Sequence, residues 1–245
     1  MRKFALALLF VLPFSCFAIT AKSYIITDLN GVVIAEKNAD VVRPIASITK
    51  LVTAQRSAQK PSDDLITITA ADWKAGQTRR STLKVGQTYT RDMLTRLALV
   101  SSDNVAAIAL GRASSEIKID LPPKTHIVEA SGLDPDNVST ARELSQIARN
   151  MYGTALALQS VQKFVPTPRG LAKSTNPLIG QEGWAFHLSK TGWIHQAGGC
   201  VVAIVEIKDR PTVVVLLGAT SVRQRWKDLY ELRKRFDQSN FVSPK

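Results

Sequence analysis

Polar and β-branched apolar residues alternate over positions 22–28, break at Asn30-Gly31 and resume over 32–36, which predicts two strands joined by a hairpin. The period then changes. Across 46–59 the apolar residues Ile48, Leu51, Val52 and Ala54 follow a helical repeat, with Arg43-Pro44 holding extended chain ahead and Pro61 closing it. Residues 65–69 read as a short strand. A helix capped at Thr90 or Asp92 should run through Val100, and another from near Asp103 to about Ser114. The stretch 131–137 is a turn cluster, and Thr140 with Glu143 forms a capping box for a helix reaching about Gly153. Residues 164–183 are rich in proline and glycine and read as a loop. Strands follow at 184–193, 200–208 and 212–219, with turns at Gly198-Gly199 and Asp209-Arg210-Pro211. A closing amphipathic helix starts near Ser221 and carries Trp226, Leu229, Tyr230 and Phe236. Hairpins at both ends around a helical middle predict an α+β fold: an antiparallel sheet from both chain termini, with a helical cluster inserted between.

The bulk numbers narrow this picture. Of 245 residues, 45% are hydrophobic and 21% charged, enough apolar surface for a buried core and too much for a disordered chain. Arg2 and Lys3, the apolar run 4–12 and the small residues around Cys16-Phe17-Ala18 read as an export signal at 1–18, cleaved after Ala18. That leaves 19–245 as a single domain. A lipoprotein anchor at Cys16 is the weaker reading, because Pro13-Phe14-Ser15 is a poor lead-in. No later stretch is long and uncharged enough to span a bilayer. Once the signal is gone only Cys200 remains, which suits a small buried hydrophobe and permits no disulfide within the chain.

The net charge of +12 favours polyanions. Export, and the lack of any RNA-binding signature, exclude nucleic acid; acidic wall polymer and weak association with an anionic membrane surface remain. Arg79 and Arg80 are solvated charges or contacts to such a polymer. His126, His187 and His195 lack metal-ligand spacing, and neither metal nor cofactor is expected.

Five Ser-x-x-Lys tetrapeptides occur, at Ser47, Ser57, Ser81, Ser115 and Ser160, so the motif alone decides nothing. Ser57 sits in the polar tail of its helix and reads as solvated, Ser81 lies in a polar loop, Ser115 in a charged stretch and Ser160 before a proline-rich loop. Only Ser47 opens an apolar helix. There its oxygen lies near unsatisfied N–H groups, and Lys50 falls one turn away on the same face. A lysine serves as base only when desolvation lowers its pKa, and Ile45, Ile48, Leu51 and Val52 fit burial. Ser102-Asp103-Asn104 falls at the junction of two helices. Lys190-Thr191-Gly192 ends a strand, where glycine admits a close backbone and Lys190 with Thr191 can hold a carboxylate. Ser174-Thr175-Asn176 fits Ser-x-Asn too, but its loop setting rejects it.

The ordered trio of Ser-x-x-Lys, Ser-x-Asn and Lys-Thr-Gly, 55 and 88 residues apart, is far more specific than any one motif. With residues 43–50, 101–104, 129–133, 137–141 and 190–193, the chain resembles the low-molecular-mass penicillin-binding proteins, the D-alanyl-D-alanine carboxypeptidases and endopeptidases. Within them it looks most similar to the endopeptidases called penicillin-binding protein 7. The resemblance spans roughly 22–236 and implies a β-lactamase/transpeptidase-like fold and a periplasmic serine D,D-peptidase acting on peptidoglycan stem peptides. It further implies Ser47 as nucleophile, Lys50 as its base and Ser102 as proton relay. Asn104, Lys190, Thr191 and Gly192 would bind substrate, the backbone of Ser47 and Trp193 would form an oxyanion hole, and β-lactams would be covalent inhibitors. The chain departs from the larger carboxypeptidases in ending soon after Lys190, which should leave no room for their extra C-terminal β-domain and membrane anchor. Residues 223–236 pack on the sheet or, alternatively, touch anionic lipid.

Two rivals keep the same trio. A serine β-lactamase needs a glutamate to activate the deacylating water, and Glu129 and Glu143 lie between the second and third motifs without matching that role. A non-catalytic wall-binding or sensor module would not need every reactive side chain to be present.

Overall fold

The computed structural model describes residues 19–76 and 81–238. The export signal with Cys16, and Arg79 and Arg80, lie outside the described residues. Strands β1 (Ser23–Thr27) and β2 (Val33–Lys37) form the first hairpin. Strand β3 (Arg43–Pro44) and a 3-10 turn (Ala46–Ile48) lead into α1 (Thr49–Ser57). The helical middle continues through β4 (Leu65–Thr67), α2 (Ala70–Gly76), β5 (Thr88–Thr90) and α3 (Arg91–Arg96). A π-turn (Leu97–Ser101) then precedes α4 (Asn104–Arg112). After β6 (Val138–Ser139), α5 (Ala141–Met151) and α6 (Ala155–Ser160) come the short strands β7 (Phe164–Thr167) and β8 (Gly170–Lys173). Three long strands, β9 (Phe186–Ile194), β10 (Gly198–Ile207) and β11 (Arg210–Ala219), precede α7 (Val222–Gln238).

The sheet runs β2-β1-β11-β10-β9, every neighbour antiparallel, so the two chain ends meet where β1 pairs with β11. Its long strands read as unbroken apolar runs because both faces are covered. Cys200, Val202, Ile204, Val213 and Val215 join one core with Ile48, Leu51 and Leu144 from the α1 turn region, α1 and α5. Val201, Ala203, Val205, Val214 and Leu216 join another with Leu229 and Leu232 of α7. α7 therefore packs on the sheet, and both leucines are almost wholly buried. A third core, with Leu94, Leu97, Val105 and Leu110, lies inside the helical half.

Several local expectations change. Residues 164–173 are a hairpin, not a loop. Pro168-Arg169 turns it, and Pro166 is tolerated because the two-stranded sheet leaves its nitrogen without a required partner. The turn before β11 is Lys208-Asp209, both left-handed (φ 51° and 55°), and Arg210 and Pro211 already belong to the strand. Gly198 and Gly199 likewise lie in β10, after a turn at 195–197. Thr140 caps α5 by accepting from Glu143 N–H, but the Glu143 carboxylate accepts from Lys124 N–H and Thr125 Oγ1 instead of closing the box. Ser57 is not solvated; it is fully buried and accepts from Arg91 Nη1 at 3.1 Å.

Candidate active site

Ser47 is half-buried in the 3-10 turn, one residue after Ala46, whose backbone is left-handed (φ 48°). A non-glycine residue in that region costs of order 1–3 kcal/mol, and here the surrounding packing enforces it. β3 pairs with β6, and Ile45 N–H donates to the Asn137 carbonyl, which draws the 129–137 loop beside the serine. Glu129 fastens that loop. Its carboxylate accepts from the N–H groups of Ser131, Gly132 and Leu133 and from Asn137 Nδ2, at 2.5–2.7 Å. Burial pushes the Glu129 pKa up, but these backbone donors outweigh it and hold the carboxyl below its ordinary value. The loop can then turn the Ser131 carbonyl inward.

Lys50 occupies the space between these pieces. Its side chain is fully buried, and Nζ lies 2.8 Å from Ser47 Oγ, 2.8 Å from Asn104 Oδ1 and 2.5 Å from the Ser131 carbonyl. Burial drives its pKa from 10.5 down to about 7, opposed by the negative charges of Glu129 and Asp103. A neutral amine therefore exists near neutral pH, at hydrogen-bonding distance from a hydroxyl.

The helical half supplies the second motif. The π-turn ends at Ser102, which is left-handed (φ 59°), and Asp103 caps α4 by accepting from Ala106 N–H. Asn104 is fixed at both ends of its amide, because Nδ2 donates to the Gly76 carbonyl. The sheet supplies the third. Lys190 is buried in β9, and its Nζ donates to Ser102 Oγ at 2.9 Å and to the Thr191 carbonyl at 3.0 Å. Burial first, then repulsion from Lys50 and Arg225, holds its pKa well below the usual range for lysine.

Gly192 explains how β9 comes this close. A methyl group added there would sit 2.9 Å from the Ile45 carbonyl oxygen and 3.1 Å from Ser47 N. Trp193 follows, exposed at the rim. Ser47, Ser102, Asn104, Thr191, Gly192 and Trp193 all line one cleft of about 820 Å³.

Other expectations resolve differently. Among the rival tetrapeptides, Ser81 lines the same cleft, but its Oγ accepts from Leu83 N–H. Ser160 is buried and holds Ser189 N–H, while Ser115 is exposed. Cys200 is fully buried, and burial raises its thiol to about 11. His187 meets Glu206 and packs edge-on to Tyr152, and His126 pairs through its backbone with Val138.

Two residues in the cleft escaped sequence reasoning. Thr175, from the rejected Ser-x-Asn, contacts Thr191. Arg225, from the helix read only for its amphipathic pattern, is buried and donates to the Gly192 and Cys200 carbonyls at 2.9 and 3.4 Å. The second Ser-x-Asn was a signal for the first; none existed for the second.

Known proteins resemble this chain along most of its length. The family model for D-alanyl-D-alanine carboxypeptidase matches residues 12–115 and 123–221. The D-alanyl-D-alanine endopeptidase of Escherichia coli K12 is 30% identical over 266 aligned positions, covering 94% of this chain and 86% of its own. The Pseudomonas aeruginosa protein of the same name is 31% identical, covering 86% of this chain and 76% of its own. Penicillin-binding protein D2 of Listeria monocytogenes, solved in a cefotaxime-bound form, superposes with a TM-score of 0.76 at 28% identity, over 89% of this chain and 98% of that one. By the extent of the family match and the identity of these relatives, the chain belongs to the D-alanyl-D-alanine carboxypeptidase family of serine peptidases.

Proposed function

We propose that this protein cleaves peptide bonds after D-alanine in peptidoglycan stem peptides through an acyl-enzyme on Ser47. The observation that carries the reading is the buried amine of Lys50, 2.8 Å from the Ser47 hydroxyl and with its pKa lowered by burial to about 7. Neutral Lys50 takes the hydroxyl proton as Oγ attacks the carbonyl carbon. The backbone N–H groups of Ser47 and Trp193 hold the oxyanion. The C–N bond then breaks, the leaving amine takes the Ser102 proton, and Ser102 is reprotonated by the Lys50 ammonium, which returns Lys50 to its neutral form, while Lys190 holds the Ser102 oxygen in place. Water resolves the ester. Asn104 positions the scissile amide, while Lys190 and Thr191 hold the substrate carboxylate; β-lactams acylate the same oxygen.

Cleavage of cross-links is the favoured activity, because the E. coli and P. aeruginosa relatives are named endopeptidases. The same reading takes the protein across the membrane to the periplasm, where its net charge, 12 − 2 = +10 once Arg2 and Lys3 leave with the export signal, draws it to acidic wall or lipid. Both glutamates that could supply the one a β-lactamase needs are committed: Glu129 to its loop, and Glu143 to Lys124 N–H and Thr125.

Fluorescent penicillin should label the wild type and leave Ser47→Ala unlabelled on a denaturing gel. Label persisting in Ser47→Ala would overturn the assignment. Mass analysis of digested cross-linked and uncross-linked muropeptides then separates cross-link cleavage from terminal trimming.

Glu129 carries a second test. Its charge favours protonated Lys50, so Glu129→Gln should move the rising limb of acylation to lower pH. The variant should also melt earlier, because the amide replaces one acceptor oxygen with a donor facing the loop N–H groups. An unmoved pH profile would mean that Glu129 does not act on the amine.

A further inference from the structure

The segment Ser174-Thr175-Asn176 crosses the floor of the cleft and is tied to both sides of it. Asn176 Nδ2 donates to Ser189 Oγ at 3.0 Å, next to Lys190. Thr175 N–H donates to the Val100 carbonyl at 3.0 Å, in the π-turn leading to Ser102. Between these anchors, Thr191 Oγ1 donates to Thr175 Oγ1 at 2.7 Å, and Thr175 Oγ1 passes its own proton to the Val100 carbonyl over a long 3.4 Å.

The direction of this chain has a chemical consequence. The hydroxyl proton of Thr191 points into the protein, so the oxygen offers the cleft only lone pairs. A carboxylate held against Lys190 needs donors. The chain can reverse at little cost. Thr191 swings its proton onto the carboxylate, and Thr175 turns its proton from Val100 to Thr191. Val100 keeps the Thr175 N–H at 3.0 Å, so the reversal leaves no buried acceptor without a partner. A hydroxyl that accepts while it donates is polarised into a stronger donor, so the reversed chain strengthens the bond to the ligand.

We propose that Thr175 is a positioning residue for carboxylate recognition, its hydroxyl serving as the reversible partner that lets Thr191 donate to the ligand. The inference rests on the D,D-peptidase reading, in which a carboxylate meets Lys190 and Thr191. It assigns to Thr175 a role distinct from that of Ser102, Lys190 or Thr191 themselves.

The test compares benzylpenicillin, which carries the free carboxylate, with its methyl ester, which does not. Second-order rates of Ser47 acylation are followed by intact mass for wild type, Thr175→Val and Thr175→Ser. Thr175→Val should slow acylation by benzylpenicillin about tenfold, the worth of one hydrogen bond to a charged group, and by the ester less than about twofold. Thr175→Ser should restore the wild-type ratio between the two probes. An equal loss with both probes, or no loss with either at an unchanged melting temperature, overturns the proposal. If Thr175→Val does not fold, Thr175→Ala carries the same comparison. A wild type that benzylpenicillin fails to acylate would instead bring down the D,D-peptidase reading itself, before any variant is measured.

Discussion

Replacing Lys50 by methionine is expected to slow acylation of Ser47 about a thousandfold, the scale of a lost general base, in a chain that still folds. Methionine fills a similar volume in the same buried position, at the cost of the donor that Asn104 Oδ1 and the Ser131 carbonyl now share. In the wild type the acylation rate should rise with pH as the amine loses its proton, with a midpoint near 7, and flatten above it. The variant's residual rate should lack that limb.

Stability should show the same titration from the other side. Lys50 gives up its proton near 7 when folded and near its ordinary 10.5 when unfolded. Between those values the unfolded chain binds more protons, so the wild type gains stability as pH rises through the window. Below it the burial penalty stands in full, on the scale of roughly 5 kcal/mol at 1.36 kcal/mol per pKa unit. Lys50→Met removes that dependence and should gain on the wild type toward the acid end. Denaturant titrations at pH 7 and pH 10 measure the difference. A thousandfold loss without the change in pH dependence would assign Lys50 a structural role only.

The second large effect belongs to Gly132. Its backbone is left-handed (φ 80°), and a Cβ there would run into the Ala46 carbonyl and come 2.8 Å from Ser47 N. All of the obstructing atoms are backbone, so nothing rotates out of the way. Gly132→Ala should cost about 3 kcal/mol through strain and displacement together. For a chain of this size that is a fall of roughly 10 °C in melting temperature. Penicillin acylation should fall further than stability alone accounts for, because the displaced segment carries the nucleophile. Gly192→Ala is the informative contrast. Its φ is ordinary and its nearest atoms lie at 2.9–3.1 Å, so it should lose acylation while keeping most of its melting temperature. Equal melting losses in the two variants would show that the left-handed backbone at Gly132 is not what matters.

The sequence announces the sheet because β10 and β11 are runs of Val, Ile and Leu, rich in β-branched residues and bounded by turns, as strands buried on both faces are. It hides the β7–β8 hairpin because Pro166 and Pro168 read as breakers, whereas a two-stranded ribbon leaves proline nitrogens free of obligation. Helices α2 and α6, of 7 and 6 residues, are too short to show a period. At the site, Ser47 is legible because it alone combines a preceding proline turn with an apolar helix. Thr175 is illegible because it was judged by the composition of its surroundings, when what places it is the return of the chain from β8 to β9. Ser57 misleads for a related reason. Its neighbours in sequence are polar, but Arg91 from another element reaches in to bury it.

The three motifs draw on two hydrophobic cores. α1 and β9 contribute to one and α4 to the other, while the π-turn places Leu99 in the first and Leu97 and Val100 in the second. Lys50 to Asn104, Lys190 to Ser102, and Thr175 to Val100 all cross the seam between them. The catalytic centre is thus also the joint of the molecule. The polar ties that aim the reacting groups are fasteners between its halves, and neither half holds a working site by itself.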